Sequence, residues 1–156
     1  MMKIYLATDH AGFAIKEEIK RSLTEGGFEV EDCGAHEYTE SDDYPDFIAL
    51  AARAVSIDSE NTRAIILGGS GQGEAMLANK FPNVRAALFY GLSGEIATLS
   101  REHNDANVLS LGARFVTKEE AKRIVKVWLH TEFSKEERHV RRLDKIKKIE
   151  KNLYLL

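Results

Sequence analysis

The sequence predicts an α/β protein in which helices cover both faces of a parallel sheet. Three observations lead there. Short apolar runs of strand length alternate with segments whose apolar residues recur at helical spacing. Glycines or polar clusters punctuate the joins. Two helical segments are preceded by Ser or Thr with Glu three residues on, the pattern of a capping box. Strands and helices alternating in this way build βαβ units.

The first strand is Lys3–Thr8, ending at Asp9-His10-Ala11-Gly12. Ile15, Ile19 and Leu23 share one face of a helix that Gly26-Gly27 stops. Phe28 and Val30 open a second strand, which closes near Cys33-Gly34. A polar loop leads to Tyr44-Pro45, and a helix runs from Asp46 to about Ser56. Arg63–Leu67 is the third strand, with its helix from Glu74. Val84–Tyr90 and Asn107–Leu111 are the fourth and fifth strands, separated by a helix over Ser93–Arg101. Thr117 with Glu120 caps a helix reaching about His130, and Ser134 with Glu137 caps a last helix towards Asn152. Met76, Leu77, Phe81, Ile124 and Trp128 read as apolar packing positions.

With 156 residues, no internal repeat and no linker, residues 1–156 read as one domain. The formal net charge of −3 argues against a dedicated nucleic-acid binder. No run approaches about 18 consecutive apolar residues, and the N-terminus lacks a signal-peptide pattern, so a cytoplasmic protein without a membrane span is expected. Cys33 is the single cysteine, and histidines 10, 36, 103, 130 and 139 form no recognised ligand spacing. No metal or cofactor is expected.

The most informative stretch is Ala64–Lys80, where an apolar run breaks into a loop containing Gly68, Gly69, Gly71 and Gly73 and then enters a helix. Unpaired backbone N–H groups at such a point suit an anion. A P-loop would need Lys and then Ser or Thr after Gly73, but this chain has Glu74-Ala75. A dinucleotide fingerprint from Gly69 and Gly71 would need glycine at position 74. Glu74 therefore disfavours a nucleoside triphosphate. A carboxylate beside an oxyanion cradle is what enolisation of a carbonyl compound requires. A tight turn with glycines that only relieve crowding would read the same way.

Ligands of parallel sheets sit at the carboxyl ends of the strands. Asp9 and His10, Ser70 to Glu74, and Arg114 fall there, with His103 and Asn104 in the connection before strand five. Asp9 equally fits a helix cap, and His103 a solvated position. Arg138 and Arg142 lie one turn apart on a helix face, a spacing that suits either a phosphate or a solvated basic surface. Val140, Leu143, Ile146, Ile149 and Leu153 give that helix an apolar stripe, which must pack on this domain or on another copy.

Taken together, the segments Ala7–Phe13, Asp43-Tyr44-Pro45, Leu67–Gly73, Ala78-Asn79-Lys80, Arg101–Asn104, Leu111–Arg114 and Arg138–Arg142 closely resemble the type B ribose-5-phosphate isomerases and the related galactose-6-phosphate isomerase subunits. The resemblance spans nearly the whole chain. It implies a Rossmann-like three-layer αβα sandwich with a five-stranded parallel sheet and a C-terminal helix. It also implies a metal-independent aldose–ketose isomerase of the pentose phosphate pathway, a homodimer or dimer of dimers with active sites between subunits. Asp9, His10 and Tyr44 match positions lining the sugar. Ser70 and the backbone of Gly69, Gly71, Gln72 and Gly73 match the anion hole. His103 matches the group that opens the sugar ring, with Asn104 holding hydroxyls. Arg114, Arg138 and Arg142 match phosphate ligands, some from the partner subunit, with His139 near the same phosphate. Many members carry a cysteine base where this chain has Gly68; in the subset with a Gly-Gly-Ser-Gly-x-Gly-Glu loop the base is the glutamate, here Glu74.

The expected reaction interconverts D-ribose 5-phosphate and D-ribulose 5-phosphate. Alternatives are the same chemistry on galactose or allose 6-phosphate or on a tetrose phosphate, and a non-catalytic phospholigand-binding domain. A receiver-type domain would carry a phosphate-accepting Asp at the end of strand three, where Gly68-Gly69 stand.

Overall fold

A computed structural model describes residues 2–154. Its strands are β1 (Lys3–Thr8), β2 (Glu29–Asp32), β3 (Thr62–Gly68), β4 (Ala86–Phe89) and β5 (Val108–Gly112). They form one sheet in the order β2-β1-β3-β5-β4, with every pairing parallel. The helices are α1 (Phe13–Glu25), α2 (Tyr44–Ile57), α3 (Gln72–Ala78), α4 (Glu95–Asn104), α5 (Lys118–His130) and α6 (Glu137–Tyr154). The αβα sandwich expected from the resemblance is present. Among the described residues, no helix is long and apolar enough to cross a membrane.

Both faces of the sheet are covered, so its central strand has no polar face. All seven residues of β3 are buried. Ile65 and Leu67 point to one side with Ile4, Leu6, Leu109 and Leu111, against Ile15 and Ile19 of α1 and Ile124 and Trp128 of α5. Ala64 and Ile66 point to the other with Ala7 and Val108, against Ile48, Ala51, Ala52 and Val55 of α2. Each fully buried Ile or Leu stabilises the fold by about 1.5–3 kcal/mol. The alanines on the second face let α2 lie close to the sheet.

Several boundaries differ from the sequence reading, each for a local reason. Helix α2 starts at Tyr44 rather than Asp46, because Pro45 fits a first turn whose N–H groups need no helical acceptor. Helix α3 starts at Gln72 rather than Glu74; Gly71 takes the left-handed turn at φ 75°, leaving Glu74 within the first turn. Strand β4 is shorter than the apolar run suggests. Thr117 Oγ1 accepts from the Glu120 N–H at 3.1 Å, as expected of a cap. Ser134 does not cap Glu137: Lys135 turns at φ 57°, so the hydroxyl faces the Glu136 N–H at 3.4 Å. Trp128 is fully buried, whereas Met76 is 66% exposed.

From β1 the chain steps to β2 on one side and later to β3 on the other, so a crevice opens at the carboxyl ends of β1 and β3. A buried ion pair shapes its rim. Lys16, fully buried, donates to both oxygens of Asp32 at 2.7 Å, and Lys20 donates to Oδ2 at 2.7 Å. Burial pushes the Asp32 carboxyl up, but the bonds from Lys16 and Lys20 outweigh it and hold the group below the usual carboxylate range. Asp32 Oδ1 also accepts from the Gly34 N–H at 2.9 Å. Gly34 and Ala35 then pair with Thr8, which carries the following loop back over the end of β1.

Candidate active site

At the end of β3 the glycine loop is tied to the end of β5. Gly68 and Gly69 carbonyls accept from the Ala113 and Arg114 N–H groups at 2.8 and 3.1 Å. Ser110 Oγ donates to the Gly71 carbonyl at 2.6 Å. Ser70 Oγ accepts from the Gln72 N–H at 3.3 Å. Among the described residues, the N–H groups of Ser70, Gly71 and Gly73 donate to no backbone carbonyl. They form the amide cradle that the glycine spacing predicts.

Glu74 is 4% exposed, and its carboxylate folds back over Gly68. A Cβ placed on Gly68 would overlap that carboxylate, so a side chain at 68 and this position of Glu74 exclude each other. Burial raises the Glu74 carboxyl above its ordinary value; its own backbone N–H opposes this, and the charge of Asp9 adds to the rise. A carboxylate raised in this way is a better proton acceptor near neutral pH than an exposed glutamate. Gly68→Ala is therefore expected to displace the carboxylate and lower kcat about a hundredfold with little loss of stability. Steady-state kinetics with a thermal melt check this, and an unchanged kcat would show that Glu74 need not lie over residue 68.

The other predicted residues of this end gather around the loop. Asp9, 8% exposed, accepts from the Ala11 N–H at 3.0 Å, so it caps the turn into α1 while its charge reaches Glu74. Tyr44 places its hydroxyl against Gly73, where a Cβ would lie 2.7 Å away. The Arg114 guanidinium lies over Gly69, 3.2 Å from the corresponding point. His10 is held by Asp42, whose Oδ1 accepts from its backbone N–H at 2.9 Å and meets ring Nδ1 at 2.7 Å. Asp9, His10 and Asp42 offer ligand atoms within 4.8 Å of one another, but these bonds already engage Asp9 Oδ1, His10 Nδ1 and Asp42 Oδ1.

The remaining candidates lie elsewhere. His103 and Asn104 end α4, and the Asn104 carbonyl accepts from Arg85 Nε at 3.1 Å, just before β4 begins. That is the amino end of the sheet, roughly 15 Å from the glycine loop across the length of β5. Arg138, His139 and Arg142 of α6 accompany them. The segment before α6 docks there through the Ser134 N–H and the Glu102 carbonyl at 3.1 Å. Arg138 and Arg142 are exposed. His139 is 4% exposed and stacks on His103, with ring centroids 4.3 Å apart and planes 14° from parallel. The structure thus places the His139 ring under that of His103. Burial and then the His103 charge hold the His139 imidazole below its ordinary pKa.

One chain therefore carries the candidate residues as two groups, two half-sites if they serve one reaction, at opposite ends of its sheet. The sequence reading puts His103 and Asn104 before strand five and the other residues after their strands; the structure adds the distance between the two groups. It also missed Asp42, whose place over His10 depends on the Gly34–Thr8 pairing. Cys33 follows β2, and burial first, then the charges of Glu31 and Asp32, push its thiol up to about 11. It stays protonated at neutral pH and cannot act as a thiolate base.

Comparison with known proteins places the sequence and the fold in a family. A family model described as Ribose/Galactose Isomerase matches residues 4–146. Ribose-5-phosphate isomerase B of Mycolicibacterium paratuberculosis is 44% identical over 143 residues, which cover 92% of this chain and 88% of the relative. The crystal structure of ribose-5-phosphate isomerase B from Mycoplasma genitalium with bound ribulose-5-phosphate has a TM-score of 0.92 at 41% identity, covering 96% of this chain and 97% of that one. The ribose-5-phosphate isomerase B of Clostridium thermocellum has a TM-score of 0.89 at 44% identity, covering 97% and 99%. The chain belongs to the ribose/galactose isomerase family.

Proposed function

We propose that this protein interconverts D-ribose 5-phosphate and D-ribulose 5-phosphate through an enediolate, with Glu74 as the base. The buried carboxylate beside an amide cradle carries the reading, together with relatives named for this activity, one of them with ribulose-5-phosphate bound. In the open-chain aldose, Glu74 takes the proton from C2 and the electron pair moves onto the C1 carbonyl oxygen. After a proton passes from the C2 hydroxyl to that oxygen, Glu74 returns its proton to C1 and leaves the ketose. Free carboxylates are too weak for this step, with a pKa of roughly 4.3. Loop amides aimed at the developing oxyanion supply the difference, each worth about 2.7–4 kcal/mol when lost. Ser70 belongs to that cradle; Asp9, His10 and Tyr44 line the sugar.

The second half-site reaches Glu74 from another copy of the chain. His103 then opens the sugar ring, Asn104 holds hydroxyls, and Arg138 and Arg142 join Arg114 at the phosphate. Two observations support a paired assembly: the half-sites lie at opposite ends of one sheet, and α6 leaves an apolar stripe uncovered. Ile146, Ile149 and Leu153 are 51%, 61% and 64% exposed in the single chain. A dimer with sites at its interface, or a dimer of dimers, provides both.

Ribulose 5-phosphate incubated with the purified protein in deuterated water is expected to gain deuterium at C1 while ribose 5-phosphate deuterated at C2 appears. Activity should exceed that on allose or galactose 6-phosphate assayed alongside. Absence of both exchange and interconversion with the pentose phosphates would overturn the assignment, and preference for a hexose 6-phosphate would move it to that substrate.

A further inference from the structure

Resting on that reading of the site, we propose that Asp42 is a positioning residue: it locks the His10 imidazole with Nδ1 turned inward, so that Nε2 is presented beside Arg114 to the anionic end of the substrate. Asp42 lies outside every segment that carries the family resemblance, in the polar loop between β2 and α2. Its Oδ1 grips His10 twice, through the backbone N–H at 2.9 Å and ring Nδ1 at 2.7 Å. One carboxylate oxygen thus fixes both the start of the turn after β1 and the rotation of the ring. Tyr38 of the same loop meets the ring edge-to-face, with centroids 6.2 Å apart and planes at 88°. A ring flip would lose the Nδ1 bond to Asp42. The Asp42 side chain is 10% exposed, and among the described residues its Oδ2 is buried without a hydrogen-bond partner. Burying a carboxylate is costly unless its oxygens meet donors. His10 is the group it meets.

Geometry also fixes which nitrogen faces the ligand. With Nδ1–H donated to Asp42, Nε2 lies on the far side of the ring, free to donate in the imidazolium form. The charged groups acting on this ring are Asp42 from the loop, Asp9 from the end of β1 and Arg114 after β5. The Asp42 hydrogen bond raises the His10 pKa most; burial opposes it, Asp9 and the Asp42 charge reinforce it, and Arg114 opposes it. The net direction is upward, so His10 holds its proton to higher pH than a free imidazole. In its protonated form the ring is a second cation beside Arg114 for an anionic ligand.

The test compares the parent with Asp42→Asn, which keeps the shape of the side chain and removes its charge. Histidine nitrogen NMR titrations follow the His10 ring, inorganic phosphate titration reads anion binding, and kinetics with ribulose 5-phosphate are taken across pH. In the variant His10 is expected to titrate at lower pH, and inorganic phosphate to bind more weakly. KM near pH 7.5 should rise about tenfold while kcat stays within about twofold, as expected for loss of a charge-assisted contact. Combining Asp42→Asn with His10→Asn should be no worse than His10→Asn alone. An unmoved His10 titration, an equal effect of Asp42→Asn in the His10→Asn background, or a fall in kcat at constant KM would each overturn the proposal. The NMR and phosphate arms need no turnover, so they judge Asp42 even if the isomerase reading fails.

Discussion

Glu74→Gln is expected to lower kcat by about three orders of magnitude, with KM for the pentose phosphates changed only a few-fold, because the amide fills the same space but cannot accept the proton. The same variant should be more stable than the parent at neutral pH. Burial raises the folded pKa of Glu74 above its unfolded value, so the native state binds this proton more tightly than the unfolded chain does. Stability linked to that proton is full below the unfolded pKa and declines as pH rises through the folded one. A glutamine has no charge to bury and escapes the decline. Thermal melts at pH 7 to 8 should therefore favour the variant, with the difference shrinking towards pH 4. Loss of turnover together with a gain in melting temperature is the signature of a buried carboxylate that serves as the base. Near-parental turnover would rule Glu74 out as the base.

The second large effect concerns the two half-sites. Glu74→Gln and His103→Ala are each expected to be nearly inactive alone. When the two variants are unfolded together and refolded, or exchanged as subunits, activity should return. In a twofold-symmetric dimer, each site joins the glycine loop of one copy to the His103 end of the other. A hybrid dimer then holds one site with both lesions and one with neither. Random mixing makes half of the dimers hybrid, so recovery should approach about one quarter of the parent rate. If the sites were complete within one chain, mixing would restore nothing. The experiment therefore separates an interfacial site from a self-contained one without an image of the assembly. The same arrangement would cover Ile146, Ile149 and Leu153 of α6, which are more than half exposed in the single chain.

Much of the fold was legible because it follows local rules. Apolar runs of strand length marked β1, β3, β4 and β5, Phe28 and Val30 alone marked β2, and helical spacing at Ile15, Ile19 and Leu23 marked α1 with its glycine stop. Thr117 capped its helix as read, since a cap involves residues only three apart. Ser134 did not, because a single left-handed residue, Lys135, altered the reach of the hydroxyl. Met76 read as an apolar packing position yet is exposed, since apolarity does not state which side of a short helix faces the sheet.

The site divides along the same line. That a carboxylate follows an amide-rich turn was visible in the order Gly68 to Glu74, where the chemistry lies within one loop. That the carboxylate is buried over Gly68, and so raised towards a useful base, needed the packing of α3 against β3 and the approach of Asp9 from β1. The identity of the polar residues, the strand–helix order and the family likeness were determined by the sequence by itself, because they depend on neighbours along the chain. Which residues meet was decided only by the tertiary structure: His103 at the opposite end of the sheet from Glu74, His139 beneath it, Asp42 over His10. Those contacts join residues tens of positions apart, and their distances are set by strand order and loop closure.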